Sequence, residues 1–214
     1  MGDKRLLLVE GANDKHVILA IQGKRNLRIL DQGDIIDCKD SGQLLSSFPV
    51  RLKTAVNDVS RIGVVMDADE NLPARWSEIR GILLSAGYVD IPQLPTESGT
   101  IVEAPADSHL PRAGVWLMPD NKHSGILENF LRFLVPPDCE LFTYAQNVLE
   151  GLPERRFSKV AAPKALLHTW LAWQEEPGRP LGQSITAKFL DHAVPQVDVF
   201  VKWLEELFGL PRQN

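Results

Sequence analysis

The sequence predicts an α/β protein in which helices flank a mostly parallel β-sheet and a helical extension follows. Strand-like and helix-like segments alternate from the start of the chain to about residue 135. The strand-like segments are apolar without polar alternation, which is typical of strands buried on both faces. From residue 139 onward the sequence shows only helical periodicity. This alternation implies right-handed crossovers and a sheet covered by helices.

The first half of the α/β region alternates two strands with two helices. LLLVE, residues 6–10, is a short apolar run that predicts the first strand. The segment DKHVILAIQG predicts a helix, because its apolar residues recur at helical spacing and Gly23 closes it. RILDQGDIID predicts a second strand or a bent pair of strands, and SGQLLSSFPVRLKTA predicts a helix interrupted near Pro49.

The second half begins with RIGVVMD, the clearest strand after the first. A helix is expected over residues 72–86, with its apolar residues on one face and Gly87 ending it. TIVEA predicts a short strand in a stretch rich in Pro, Gly, Thr and Ser, and GVWLMP predicts a strand stopped by Pro119. SGILENFLRFL then predicts a helix with Ser124 as its N-cap.

Two regions follow from these elements. We expect residues 1–138 to form the α/β domain and residues 139–214 to form a helical region packed on it. The expected helices of the second region are FTYAQNVLEG, PKALLHTWLAWQEE, SITAKFLDHA and VDVFVKWLEELFG.

The composition is that of an ordinary globular protein, with 44% hydrophobic and 24% charged residues among 214. No apolar run approaches the roughly 18 residues of a membrane span, and the N-terminus lacks the features of a signal peptide. We therefore expect a cytoplasmic protein with no membrane partner. Cys38 and Cys139 stand alone, which argues against a disulfide framework and a thiolate zinc site.

Acidic residues follow the predicted strands at the points where the strands end. Glu10 and Asp14 follow the first strand, Asp67 and Asp69 follow RIGVVMD, and Glu128 lies early in the helix after GVWLMP. In open α/β sheets, ligands gather outside the carboxyl ends of the strands. If the segment MDAD stays extended, Asp67 and Asp69 point to the same side, because side chains alternate with period two. Glu10 can meet them if the first and third strands are neighbours.

Each acid also has a plain structural interpretation. Asp14 is a candidate helix N-cap, and Glu128 near a helix N-terminus has the same kind of explanation. Asp67 and Asp69 can be polar residues that precede a helix. Only the joint pattern favours a functional site.

A group of carboxylates at close range needs a cation, because like charges otherwise raise one another's pKa values. Oxygen ligands of this kind favour Mg²⁺ or Mn²⁺. With five acids, two ions roughly 3.5–4 Å apart are an open alternative to one. The net charge of −5 argues against nucleic acid when taken alone, but bound divalent cations would offset most of it.

LLLVEGANDKH resembles the first motif of Toprim domains, and RIGVVMDADEN resembles the second, a strand ending in D-x-D. The E-G-x-x-D-K form and the later GILENFL are similar to the branch of OLD-family nucleases. VEGANDKHVI, VWLMPDN, GILENFL and HTWLAWQE also resemble an uncharacterised family of small stand-alone Toprim-like proteins. The resemblance covers roughly residues 5–135 and implies a Rossmann-like sheet.

The resemblance also implies roles for individual residues. Glu10 matches the Toprim glutamate, a metal ligand or general base, and Asp67 and Asp69 match the metal-binding D-x-D. Asp14 and Glu128 match the additional acids of OLD-type sites as metal ligands.

OLD-type sites also use a lysine downstream, for which Lys164 is the candidate, ahead of Lys159 and Lys188. A solvated lysine near a helix start is the alternative interpretation of Lys164. The chain contains no G-x-x-x-x-G-K-[ST] motif, so it lacks the ATPase part of OLD proteins.

These observations favour a Mg²⁺- or Mn²⁺-dependent phosphoryl-transfer enzyme, foremost a nuclease that cleaves phosphodiesters of DNA or RNA. A first alternative is a non-catalytic Toprim scaffold that binds nucleic acid or a partner protein. A second is a hydrolase of nucleotides or other small phosphoesters.

Overall fold

The computed structural model describes residues 4–54, 59–106 and 108–209. The described residues form a mixed five-stranded sheet with the order β2-β1-β3-β5-β4. The strands are β1 (Lys4–Val9), β2 (Ile35–Asp37), β3 (Val59–Asp67), β4 (Thr100–Val102) and β5 (Arg112–Met118). The pairs β1–β2, β1–β3 and β3–β5 are parallel, whereas β4 runs antiparallel to β5. The predicted α/β class and mostly parallel sheet are confirmed.

Helices connect and cover these strands, and none within the described ranges combines the length and apolar character needed to cross a bilayer. They are α1 (Ala12–Lys24), α2 (Ser41–Thr54), α3 (Leu72–Ala86), α4 (Leu127–Phe133), α5 (Glu140–Glu150), α6 (Ala162–Ala172), α7 (Leu181–Thr186) and α8 (Pro195–Phe208). The elements described after residue 139 are α5 to α8, as expected.

The sheet is buried on both faces, which explains why its strands lack polar alternation. Leu7 and Val9 of β1 belong to a core shared with α1 and with helices α4 to α8. Leu6 and Leu8 point to the other face, into a core shared with α2 and α3. Successive strand residues alternate between faces, so a strand covered on both sides must be apolar throughout.

The chain reverses its direction across the sheet between β1 and β3. From β1 it passes through α1 on one face to β2, and from β2 it returns through α2 on the opposite face to β3. It then continues through α3 toward β5, on the far side of β3. Because α1 follows β1 on one face and α3 follows β3 on the opposite face, the starts of these two helices diverge and leave a crevice at the carboxyl ends of β1 and β3.

The last helix, α8, packs closely against the middle of the sheet because two strand residues are glycines. A Cβ atom at Gly114 would overlap Leu207, and one at Gly63 would lie 3.0 Å from Leu207 and Phe208. Trp203 of α8 joins an aromatic cluster in which the rings of Trp116 and Phe200 lie 4.9 Å apart. The close approach lets α8 bury a large aromatic surface on this face.

The predicted helix over residues 72–86 is confirmed, with the side chain of Asn71 accepting a hydrogen bond from Ala74 N and Gly87 in the left-handed region at φ 107°. The short strand at TIVEA is confirmed as β4. RILDQGDIID forms only the short strand β2 at its end. Cys38 and Cys139 are both free thiols, as expected.

Two predictions about where helices end or break were wrong. Gly23 lies inside α1, which continues to Lys24 and is capped at Arg25. Pro49 does not interrupt α2, because buried Phe48 and Leu52 hold both sides of the proline against the core. The predicted end of this helix at Ala55 lies outside the described residues.

The remaining differences concern a cap and a short helix. Ser124 does not cap α4, which begins only at Leu127; its hydroxyl instead accepts a hydrogen bond from Leu72 N at the start of α3. The helix expected over SITAKFLDHA begins earlier and ends at Thr186, and Lys188 adopts a left-handed φ of 66°. Such a backbone conformation ends a helix.

Candidate functional site

The carboxyl ends of β1 and β3 bring Glu10 and Asp67 together across 57 residues of sequence. The two strands pair in parallel, with Val9 opposite Val65. Glu10 follows β1 directly, and its Oε1 accepts a hydrogen bond of 2.8 Å from Asp67 N at the end of β3. The prediction that Glu10 meets the D-x-D segment through neighbouring strands is confirmed at Asp67.

Asp14 lies in the first turn of α1 and is buried. Its Oδ2 accepts a hydrogen bond of 3.1 Å from Gly11 N, the residue that precedes the helix. Asp14 therefore satisfies a backbone donor of the helix start from the third helical position and is not itself the N-cap residue. The same contact fixes its carboxylate on the side of α1 that faces the end of β1.

Glu128 lies in the first turn of α4, and only 3% of its surface is exposed. Lys164 Nζ, from the first turn of α6, lies 3.5 Å from Glu128 Oε1. The start of α4 is tied to β3, because Asp67 Oδ1 accepts a hydrogen bond of 2.9 Å from Leu127 N. The buried acid is thereby held beside both the end of β3 and a lysine.

These side chains line a single concavity of about 400 Å³, which we call the acidic pocket. Its predicted members are four of the five candidate metal ligands and the candidate catalytic lysine: Glu10, Asp14, Asp67, Glu128 and Lys164. The pocket opens at the point where the strand order reverses, the position at which open α/β sheets bind ligands.

Asp69 is placed differently from the other predicted ligands. It adopts a left-handed φ of 51°, so the expectation that MDAD stays extended was wrong. The backbone of Asp69 instead forms a bridge with Gly125. Its Oδ2 accepts a hydrogen bond of 2.6 Å from Arg75 Nη2, and both residues line a neighbouring concavity of about 370 Å³. The turn at Asp69 thus directs the second acid of the D-x-D segment toward a guanidinium.

The surroundings of Asp67, Asp14 and Glu10 in the acidic pocket favour the protonated form of these carboxyl groups. Burial, followed by the charges of Asp14 and Glu10, raises the pKa of Asp67 to about 9. Burial and the charge of Glu10 raise the pKa of Asp14 to about 7. Burial also raises the pKa of Glu10, although the hydrogen bond from Asp67 N opposes this effect. Carboxylates that are removed from water and lie near one another need positive charge to remain ionised.

The donor set suits a hard cation, with one restriction. Among the described residues, no group of three or more His, Cys, Asp or Glu side chains lies close enough together to hold a metal ion as it stands. Mg²⁺ commonly takes only one or two carboxylates and keeps several waters, so it does not require a complete protein cage. The buried, mutually repelling carboxylates of the acidic pocket therefore fit Mg²⁺ or Mn²⁺ by their chemistry.

Other residues of the site were not among the predicted ligands. Lys39, Asp40 and Ser41 line the acidic pocket from the segment between β2 and α2. The signal was available, because β2 neighbours β1 and its carboxyl end also belongs to the sheet edge that binds ligands. Arg75 also donates to the carbonyl of Asp67, at 3.2 Å, in addition to its bond to Asp69.

Comparison with known proteins gives a family and no function. No curated protein and no solved structure matches this chain. A family model described as "Protein of unknown function (DUF3226)" matches residues 4–209, which include the acidic pocket and all the described helices of the C-terminal region. With nearly its whole length covered by that match, the chain belongs to the DUF3226 family.

Proposed function

We propose that this protein is a Toprim-like enzyme that uses Mg²⁺ or Mn²⁺ to cleave phosphodiester bonds of nucleic acid. The observation that carries the proposal is the acidic pocket, in which four acids and a lysine from separate parts of the chain line one concavity. Carboxylates are the ligands that these cations prefer, and the cations assist phosphoryl transfer.

The topology supports the same proposal. Glu10 and Asp67 lie at the ends of β1 and β3, between which the strand order reverses. In a Rossmann-like sheet this is the point at which ligands bind. The finer fold that we propose is therefore a Toprim-like sheet with its metal-binding acids at the β1–β3 crevice.

The residues of the acidic pocket would have different roles. When bound, the cation would neutralise negative charge on the phosphoryl oxygens. Asp14, Asp67 and Glu128 would hold it together with Glu10, which is also the candidate general base. Lys164, 3.5 Å from Glu128, would offset the negative charge that develops on the phosphoryl group. Asp69 would act through the charge that it adds beside Asp67 and Glu10.

The test is cleavage of DNA and RNA in the presence of Mn²⁺ by the wild type and by Asp67→Asn. The substitution keeps the shape of the side chain but removes the carboxyl group that could ionise to bind the cation, so we expect turnover in the wild type and its loss in the variant. Glu175→Gln is the matched control, because it makes the same kind of change at an exposed position. Equal activity in wild type and Asp67→Asn would reject the proposal.

A non-catalytic scaffold that binds nucleic acid or a protein is the second candidate. Two observations favour it. Among the described residues, no three His, Cys, Asp or Glu side chains lie close enough together to hold a metal ion. The raised pKa values of Asp67 and Asp14 also favour protonated acids, which need no cation. Thermal melting with and without Mn²⁺ separates the two candidates, because a ligand that binds only the folded state stabilises it. The enzyme predicts a higher melting temperature in Mn²⁺ for the wild type but not for Asp67→Asn. The scaffold predicts no change in either protein.

A further inference from the structure

A second cavity, of about 350 Å³, adjoins the acidic pocket at Glu128. It lies between α5 and α6, is bordered by α4 and by the connection between α5 and α6, and we call it the α5–α6 cavity. Glu128 lines both this cavity and the acidic pocket, so the two spaces share a wall. The size is that of a small-molecule site, for which roughly 300–1,000 Å³ is usual.

The lining of the α5–α6 cavity combines an apolar interior with positive charge. Phe142, Phe157 and Leu166 supply aromatic and aliphatic surface. The guanidinium carbon of Arg132 lies 6.0 Å from the centre of the Phe142 ring. Lys159 and a second arginine also line the cavity, whose cations outnumber its acids. In the acidic pocket the acids outnumber the cations.

The first turn of α6 separates the two spaces. Ala162 and Pro163 line the α5–α6 cavity, whereas the next residue, Lys164, lines the acidic pocket. A ligand that lies across Glu128 and this turn would therefore place one end in the apolar cavity and the other beside Lys164. Such a ligand has a flat apolar part and an anionic part.

We infer that the α5–α6 cavity binds the base of a nucleoside phosphate whose phosphate lies at the acidic pocket. A nucleobase is flat, stacks on aromatic side chains and on arginine, and has apolar faces that suit Phe142, Phe157 and Arg132. The position of the phosphate rests on the proposed function, but the position of the base does not. The substrate class is then a nucleotide, either free or at the end of a strand.

The test uses adenosine, which has the base but no phosphate, in EDTA, so that its binding is independent of any cation. Ligand-observed NMR titrations compare the wild type with Gln146→Trp, in which a half-buried residue of the cavity wall is enlarged to fill the space. We expect the affinity for adenosine to fall by at least about tenfold. Asn147→Trp, at the exposed neighbouring position, is the control and should bind adenosine as the wild type does.

A second variant covers the outcome in which Gln146→Trp does not fold. Phe157→Ala removes an aromatic face from the cavity, and Leu152→Ala makes a truncation at an exposed position in the same connection between helices. We expect weaker adenosine binding in the first and unchanged binding in the second. Circular dichroism and thermal melting report the folding of each variant.

Two further ligands identify the source of the base. AMP and a 5′-phosphorylated trinucleotide are each titrated into the protein in the presence of Mg²⁺. Ribose 5-phosphate, which lacks a base, is the control ligand. We expect both base-containing ligands to bind at least about tenfold more tightly than ribose 5-phosphate. Tighter binding of AMP would indicate a free nucleotide as the ligand, and tighter binding of the trinucleotide would indicate the end of a strand.

The failures are distinguishable. Equal adenosine affinity in wild type and Gln146→Trp, or equal affinity for AMP and ribose 5-phosphate, would overturn the inference even if the protein cleaves nucleic acid. The opposite result is also possible: the wild type binds adenosine, Gln146→Trp does not, and the wild type shows no Mn²⁺-dependent cleavage. This result would support the base site and reject the proposed function.

Discussion

Asp67 and Asp69 stand two positions apart in the sequence, yet they lie in opposite electrostatic surroundings. Asp67 lines the acidic pocket with Glu10, Asp14 and Glu128, and burial together with their charges raises its pKa to about 9. Asp69 turns away and binds Arg75 at 2.6 Å. The chain itself supplies a cation to one acid of the D-x-D segment and leaves the other among like charges. The comparison teaches that two acids of one motif can have different roles, Asp67 facing the site and Asp69 anchoring the start of α3.

The largest expected difference between the two acids is in catalysis. If the proposed function holds, Asp67→Asn removes a ligand from the acidic pocket and should lower Mn²⁺-dependent cleavage on the order of a hundredfold or more. Asp69→Asn removes a neighbouring charge and should lower it by about tenfold. Single-turnover cleavage rates measure both. Equal losses would show that the two acids act as one unit.

The second difference is in the pH dependence of stability without metal. The folded-state pKa values of Asp67 and Asp14, about 9 and about 7, lie above the ordinary value of 3.8. Between about pH 4 and about pH 9 the folded protein therefore holds protons that the unfolded chain has released, so the free energy of unfolding should fall as the pH rises.

Thermal melting in EDTA across this pH range measures the effect. Asp67→Asn removes the carboxyl group whose pKa is raised to about 9 and should flatten the fall, whereas Asp69→Asn removes only a neighbouring charge and should keep most of it. Stability that rises with pH over the same range would contradict the assignment of raised pKa values to the buried acids.

The smallest expected effect is on the ion pair of Asp69. Arg75→Gln removes the partner of Asp69, and it also removes the ion pair with Glu78 and the hydrogen bond to the Asp67 carbonyl. Because the side chains of Asp69 and Glu78 are 43% and 53% exposed, solvent screens both ion pairs. We expect a loss of about 1 kcal/mol, which lowers the melting temperature by roughly 2–4 °C in a chain of this size. Arg156→Gln breaks an ion pair in which the arginine side chain is 85% exposed, and should change nothing measurable. A similar loss in both variants would show that Asp69 and Arg75 are not specifically coupled.

The sequence allowed the contact between Glu10 and Asp67 to be predicted because it depends on regular structure. Apolar runs identify strands, and parallel strands place their carboxyl ends at one edge of the sheet. The position of Asp69 depends instead on one backbone torsion, which the spacing of residues does not encode. Asp69 itself adopts the left-handed conformation, so its side chain does not continue the alternation of β3.

Local signals were also ambiguous where two elements compete for one group. Ser124 precedes α4 in sequence, yet its hydroxyl binds the start of α3, 52 residues earlier. Pro49 weakens a helix in isolation, but buried neighbours on both sides hold α2 together. Both outcomes are set by tertiary packing, which a reading of neighbouring residues does not include.

The close packing of α8 on Gly63 and Gly114 has a consequence for how the protein is made. The ribosome completes β3 and β5 before it adds α8. During synthesis, the face of the sheet at Trp116, Gly63 and Gly114 is therefore not yet covered by α8. Nascent chains that expose an apolar sheet face are prone to aggregate, so this interval is the stage of synthesis at which we expect aggregation.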